Sequence, residues 1–74
     1  MKIEIHYCTV WNYEPRAASL ADEIKGVLGG DAKLVPGSRG IFDVIADGDM
    51  IYSKFKTGRF PENEEVIEKL KESE

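Results

Sequence analysis

The sequence predicts an α/β fold of two layers, a four-stranded mixed sheet covered on one face by two helices, in the order β-α-β-β-β-α. Three observations carry that prediction. Residues that alternate between polar and apolar give way to a helical apolar stripe and then to a second strand. Asp47-Gly48-Asp49 joins two further strand-like runs, and a second helical stripe follows them.

Ile3, Ile5 and Tyr7 alternate with Lys2, Glu4 and His6, which predicts a first strand over residues 2–7 with one face buried. Asn12 is a suitable helix cap and Pro15 is tolerated in a first turn. Ala17, Leu20, Ala21, Ile24, Val27 and Leu28 then recur at helical spacing until Gly29-Gly30 ends the helix. Asp31 to Val35 reads as a second, parallel strand reached by a right-handed crossover. Pro36-Gly37-Ser38-Arg39-Gly40 is turn chemistry. Ile41–Ala46 and Met50–Phe55 flank the Asp-Gly turn as an antiparallel hairpin. Phe42, Val44 and Ala46 share one face of the third strand. The opposite face leaves Ile41, Ile45, Met50 and Tyr52 as a candidate exposed patch. Thr57-Gly58 breaks the fourth strand, and Phe60-Pro61 leads into a helix whose stripe is Val66, Ile67 and Leu70.

A chain of 74 residues with 42% apolar and 32% charged side chains is expected to be one domain, 1–74, near the lower size limit for a single core. A formal charge of −4 disfavours a broad face for nucleic acid. No run of apolar residues is long enough to span a membrane, and no leader pattern opens the sequence, so a cytoplasmic location is expected. A lone cysteine rules out an internal disulfide and suits a reducing compartment.

That cysteine, Cys8, falls at the bend between the first strand and the first helix. A thiol beside a helix N-terminus meets free N–H groups and the positive end of the dipole, a setting that lowers a cysteine pKa. The plainer reading is a small residue in a tight loop. His6, two positions before Cys8, can share its side of the strand and favour a thiolate, though a surface histidine is the better reading. One Cys and one His fall short of a zinc site, so no metal is expected. The glycine pairs lack the spacing and context of a phosphate cradle.

Taken together, Tyr7-Cys8-x-x-Trp11-x-Tyr13-x-Pro15, Val35-Pro36-Gly37, Gly40-x-Phe42-Asp43-Val44, Asp47-Gly48, Ser53-Lys54 and Gly58-Arg59-Phe60-Pro61-Glu62 resemble the selenoprotein W-like (Rdx) family over nearly the whole chain. The resemblance implies a thioredoxin-like two-layer sandwich with strand order 2-1-3-4. It also implies a thiol redox protein, linked to glutathione, that carries Cys-x-x-Cys or Cys-x-x-selenocysteine in this loop. Cys8 matches the first position of that motif, and Trp11 stands at the second.

An indole cannot resolve a mixed disulfide, so the chemistry expected of such a site is that of a monothiol. Cys8 would form a mixed disulfide with glutathione or a protein thiol, and an outside thiol would release it. Cys8 is therefore the candidate nucleophile and Trp11 the degenerate resolving position, with Thr9, Val10, Asn12 and Arg39 in support. Arg39 is expected beside the cysteine loop, where a cation favours a thiolate or grips a carboxylate. Glutathione would be a co-substrate, and no bound cofactor is expected. The alternative is a non-enzymatic interaction module that keeps the fold and docks a protein through the Trp11 loop or the open sheet face. Trp11 and Tyr13 suit either an aromatic platform or core packing. Arg16 is expected to neutralise Glu14 or answer an acidic ligand, and Arg59 to be a structural turn residue.

Overall fold

A computed structural model describes residues 2–10 and 12–73 of the chain. The strands are β1 (Ile3–Cys8), β2 (Ala32–Gly37), β3 (Phe42–Ala46) and β4 (Asp49–Ser53), and the helices are α1 (Glu14–Leu28), α2 (Lys54–Thr57) and α3 (Asn63–Ser73). They form one sheet in the order β2-β1-β3-β4. β1 runs parallel to β2 and antiparallel to β3, so the first strand made is a central one.

Strand alternation sorts the side chains as the sequence predicts. Ile3, Ile5 and Tyr7 of β1 and Phe42, Val44 and Ala46 of β3 point to one face. There they bury against Ala17, Leu20 and Ile24 of α1 and Val66, Ile67 and Leu70 of α3. Full burial of such a side chain stabilises by about 1.5–3 kcal/mol, so these two stripes anchor both longer helices to the same face. The other face carries no helix of comparable length and remains the wetter one.

Four of the differences from the sequence reading have an identifiable reason. β1 extends to Cys8 because the Cys8 amide donates to the Ile41 carbonyl at 2.9 Å. Pro36, read as a turn residue, belongs to β2, an outer strand, where a missing N–H is tolerated. Asn12 does not cap α1: its φ is +58°, and Tyr13 occupies the cap position without a side-chain hydrogen bond. β4 ends at Ser53 rather than Phe55. Lys54 to Thr57 form a helical turn closed by Gly58, whose φ of +77° lets its amide reach the Lys54 carbonyl at 2.7 Å.

The predicted hairpin is present, with Asp47 at φ +51° and Gly48 at φ +86°, as a type I′ turn requires. A β-bulge interrupts its ladder. Val44 pairs with Tyr52 and Ile45 with Met50, which leaves Ile51 as the extra residue on β4. The bulge turns Tyr52 into the core, where it is 2% exposed, and so removes it from the open-face patch in which strict alternation would place it. Met50 stays exposed, and Ile41 and Ile45 are half-buried.

Candidate functional site

Three chain segments meet at the C-terminal end of β1. The first is Cys8 and the turn after it, in which Asn12 N–H donates to Thr9 O at 3.2 Å and Tyr13 N–H to Cys8 O at 3.1 Å. The second is the turn from Gly37 to Ile41. It accepts hydrogen bonds from the Cys8 amide at Ile41 O and from the Thr9 amide at Gly37 O, and it is closed by Ile41 N–H to Ser38 O. Arg39 and Gly40 both have positive φ, which makes that turn tight enough to lie along the cysteine turn. The third is α1, whose N-terminal turn begins at Glu14.

Cys8 is wholly buried. By alternation its side chain belongs to the face of Glu4 and His6, and it lies outside the main apolar cluster between sheet and helices. On the same face Ile41 Cγ2 stands over Gly37, the β2 residue registered with Cys8. A Cβ at Gly37 would come within 2.8 Å of that methyl. The thiol is therefore enclosed at rest, and the uncapped N-terminus of α1 begins nearby, after the turn.

The remaining residues of the predicted site distribute differently. Thr9, Val10 and Asn12 are exposed, Val10 at 78%. Arg39 is exposed at the tip of the turn packed along Cys8 and Thr9, as expected for its loop. Trp11, the degenerate resolving position, lies outside the described residues. His6 turns to Glu4, its neighbour on the far side from Cys8, with Nε2 at 3.0 Å from Glu4 Oε1. That contact holds the Glu4 carboxyl below the usual carboxylate range. Among the described residues no group of three His, Cys, Asp or Glu side chains is placed to hold a metal ion.

A second constellation lies on the helix side. Phe60 is its hub: Tyr13 meets the ring edge-on at 4.6 Å between centroids, Phe42 at 5.3 Å, and the Arg16 guanidinium stands 4.2 Å from the ring centre. Tyr13 thus packs inward, and Arg16 lies against an aromatic face rather than against Glu14. Beside this cluster opens a cavity of about 650 Å³ between the first half of α1 and residues 60–64. Asn63 bridges its two walls, donating to Ser19 Oγ at 3.3 Å and Glu23 Oε1 at 3.4 Å. Arg59 is structural, as expected. Its guanidinium grips Glu65 through two hydrogen bonds of 3.0 and 2.9 Å, which lowers the Glu65 carboxyl and raises the Arg59 guanidinium from their ordinary values.

Two features of the structure have no counterpart in the sequence reading. The cavity needs Phe60 as its hub, and the sequence signal for it was the Gly58-Arg59-Phe60-Pro61 segment, read only as a lead into a helix. Asp43 is a buried carboxylate on the open face, 8% exposed, whose Oδ1 has no hydrogen-bond partner among the described residues. Its signal was an acid between apolar residues in a central strand.

Comparison with known proteins finds the same fold. A protein of Bordetella parapertussis is 30% identical and superposes with a TM-score of 0.94 over 99% of this chain and 96% of its own. A selenoprotein W-related protein from Vibrio cholerae is 27% identical, with a TM-score of 0.90 over 96% of this chain and 92% of its own. No curated relative matches. No helix among the described residues is long and apolar enough to cross a membrane. The model of the Rdx family matches residues 2–72, nearly the full length of the four-stranded sheet and its helices. With that match and the 2-1-3-4 strand order in hand, the chain belongs to the Rdx family, the selenoprotein W-like branch of the thioredoxin-like fold.

Proposed function

We propose that this chain serves as a partner-binding module built on a redox-family scaffold, with Cys8 kept as a closed thiol rather than a turnover nucleophile. The observation that supports this reading is the complete burial of Cys8. Thiol exchange needs access as well as a thiolate, and the second motif position is an indole that cannot resolve a mixed disulfide. The scaffold meanwhile presents an exposed Val10 and a preformed cavity on the helix side.

Monothiol exchange with glutathione or a protein thiol is the second reading. It is favoured by the position of Cys8 at the start of the turn that leads to α1, whose N-terminus has no side-chain cap, since a helix N-terminus stabilises a thiolate that comes near it. In that reaction the Cys8 thiolate attacks one sulfur of a disulfide, the S–S bond breaks, and the other sulfur leaves as a thiolate that takes up a proton. Incubation of the folded protein with oxidised glutathione, followed by intact-mass measurement, separates the two. No adduct on the native chain, with adduct formation after unfolding, fits a closed thiol. Stoichiometric adduct at neutral pH without unfolding overturns it in favour of the monothiol.

A further inference from the structure

We infer that the cavity between α1 and residues 60–64 is a docking groove for a basic, apolar-flanked segment of a partner protein. The inference rests on the reading of the chain as a binding module and names the chemistry of what it binds. The groove has an apolar floor, Phe42 and Phe60 with Pro15 and Pro61 at its sides, and a volume of about 650 Å³, room for one or two side chains. Its walls are preformed, since Asn63 ties Ser19 and Glu23 of α1 to the start of α3.

The charges on those walls are unequal. Glu23 comes from α1, and Glu62 and Glu64 from the opposite side, against Arg16 on the lining and the Lys54 ammonium 5.3 Å from the Phe60 ring centre. Carboxylates at a helix start are ordinarily explained by the helix dipole and by capping. Here Glu65 already performs that task. Its Oε1 accepts the Glu62 amide at 3.4 Å while the carboxylate holds Arg59. The carboxylates of Glu62 and Glu64 make no hydrogen bond or ion pair among the described residues. Arg16 is engaged by the Phe60 ring. The groove therefore presents a net negative rim over an aromatic and proline floor, complementary to lysine or arginine next to leucine-like side chains. It repels a ligand such as glutathione, whose two carboxylates outnumber its ammonium, and an acidic peptide for the same reason.

The test is a titration of the ¹⁵N-labelled chain with three probes, a hexapeptide alternating lysine and leucine, the same peptide with glutamate for lysine, and reduced glutathione. Saturable shifts from the lysine peptide, centred on Arg16, Ser19, Glu23, Asn63 and Glu64, are expected. They should weaken about fivefold in the E62Q/E64Q variant and again on raising the salt from low to high ionic strength. Dispersed spectra of the variant establish that it folds. Shifts scattered over the surface, insensitivity to E62Q/E64Q, or stronger binding of the glutamate peptide or glutathione at these positions would overturn the assignment. Absence of peptide binding removes the groove assignment alone. A native glutathione adduct on Cys8 removes the binding-module reading on which it rests.

Discussion

The amide of Cys8 donates to the carbonyl of Ile41 at 2.9 Å, and together with the Thr9 amide on the Gly37 carbonyl this bond holds the end of β1 against the turn that precedes β3. The Cys8 side chain is wholly buried. Access to its sulfur requires at least local opening of the surrounding chain, and such opening has a free energy between zero and the global value. Alkylation of Cys8 in the folded protein should run at least about tenfold slower than in the chain unfolded by denaturant. Equal rates in both states would show that the enclosure does not restrict the thiol.

Gly37 and Ile41 make a paired prediction. A methyl group at position 37 would approach Ile41 Cγ2 to 2.8 Å, so something must shift. Gly37→Ala should cost about 1–3 kcal/mol, the usual range for overpacking. Ile41→Ala removes the obstructing methyl, and the double variant should lose less than the two single losses added together. Urea unfolding of the four proteins completes the cycle. Strict additivity would show that the two positions do not meet.

Tyr52 is where the bulge matters energetically. Its hydroxyl donates to the Arg59 carbonyl at 2.8 Å and lies 2.7 Å from Thr57 Oγ1, so a core tyrosine fastens the segment that leads to α3. Tyr52→Phe keeps the ring and deletes the fastening. The expected loss is about 0.5–1.5 kcal/mol of unfolding free energy. A variant as stable as the parent would mean that water replaces both contacts without cost.

A proton-linked prediction concerns Arg59 and Glu65. The folded-state pKa of Glu65 is lowered, chiefly by its hydrogen bonds to Arg59. The unfolded chain therefore takes up a proton on this group more readily than the folded one. The pair's stabilisation is complete above the ordinary carboxylate value of about 4.3 and is lost as pH falls through the lowered folded value. Arg59→Met should flatten this part of the acid limb. Unfolding free energies of wild type and variant, measured from pH 7 down to pH 3, should converge toward the acid end, and a constant gap across that range would count against the linkage.

The degree to which these features were legible in the sequence follows the range of the forces that make them. Alternation in Ile3-Glu4-Ile5-His6-Tyr7 and in Phe42–Ala46 is local, and it located the core face correctly. Asp47-Gly48 dictates its own turn. The end of β4 was misjudged because Phe55 continues an apolar rhythm, whereas the αL conformation of Gly58 closes a helical turn back to Lys54. Tyr52 was misplaced because a bulge is an insertion relative to a partner strand, and one strand read alone does not reveal it. The identity of Cys8 as a motif residue was visible in its neighbours. Its burial was not, because the turn from Gly37 to Ile41 that bonds to the Cys8 and Thr9 amides is distant in sequence and arrives only when β3 pairs with β1.

The central place of β1 also bears on how the molecule comes apart. Ile3 is registered with Ala32 on one side and Ala46 on the other, so β1 pairs only with strands that follow it in the chain, the nearer beyond a 15-residue helix. Long-range pairing of this kind slows folding, because loop closure must precede the contacts that reward it. The same arrangement denies a protease any harmless cut between α1 and β3, since every such cut puts at least one neighbour of β1 on the other fragment. Amide exchange along Ile3–Tyr7 is accordingly expected to report the unfolding of the entire sheet, and fragments nicked between Gly29 and Gly40 should not survive as folded pieces.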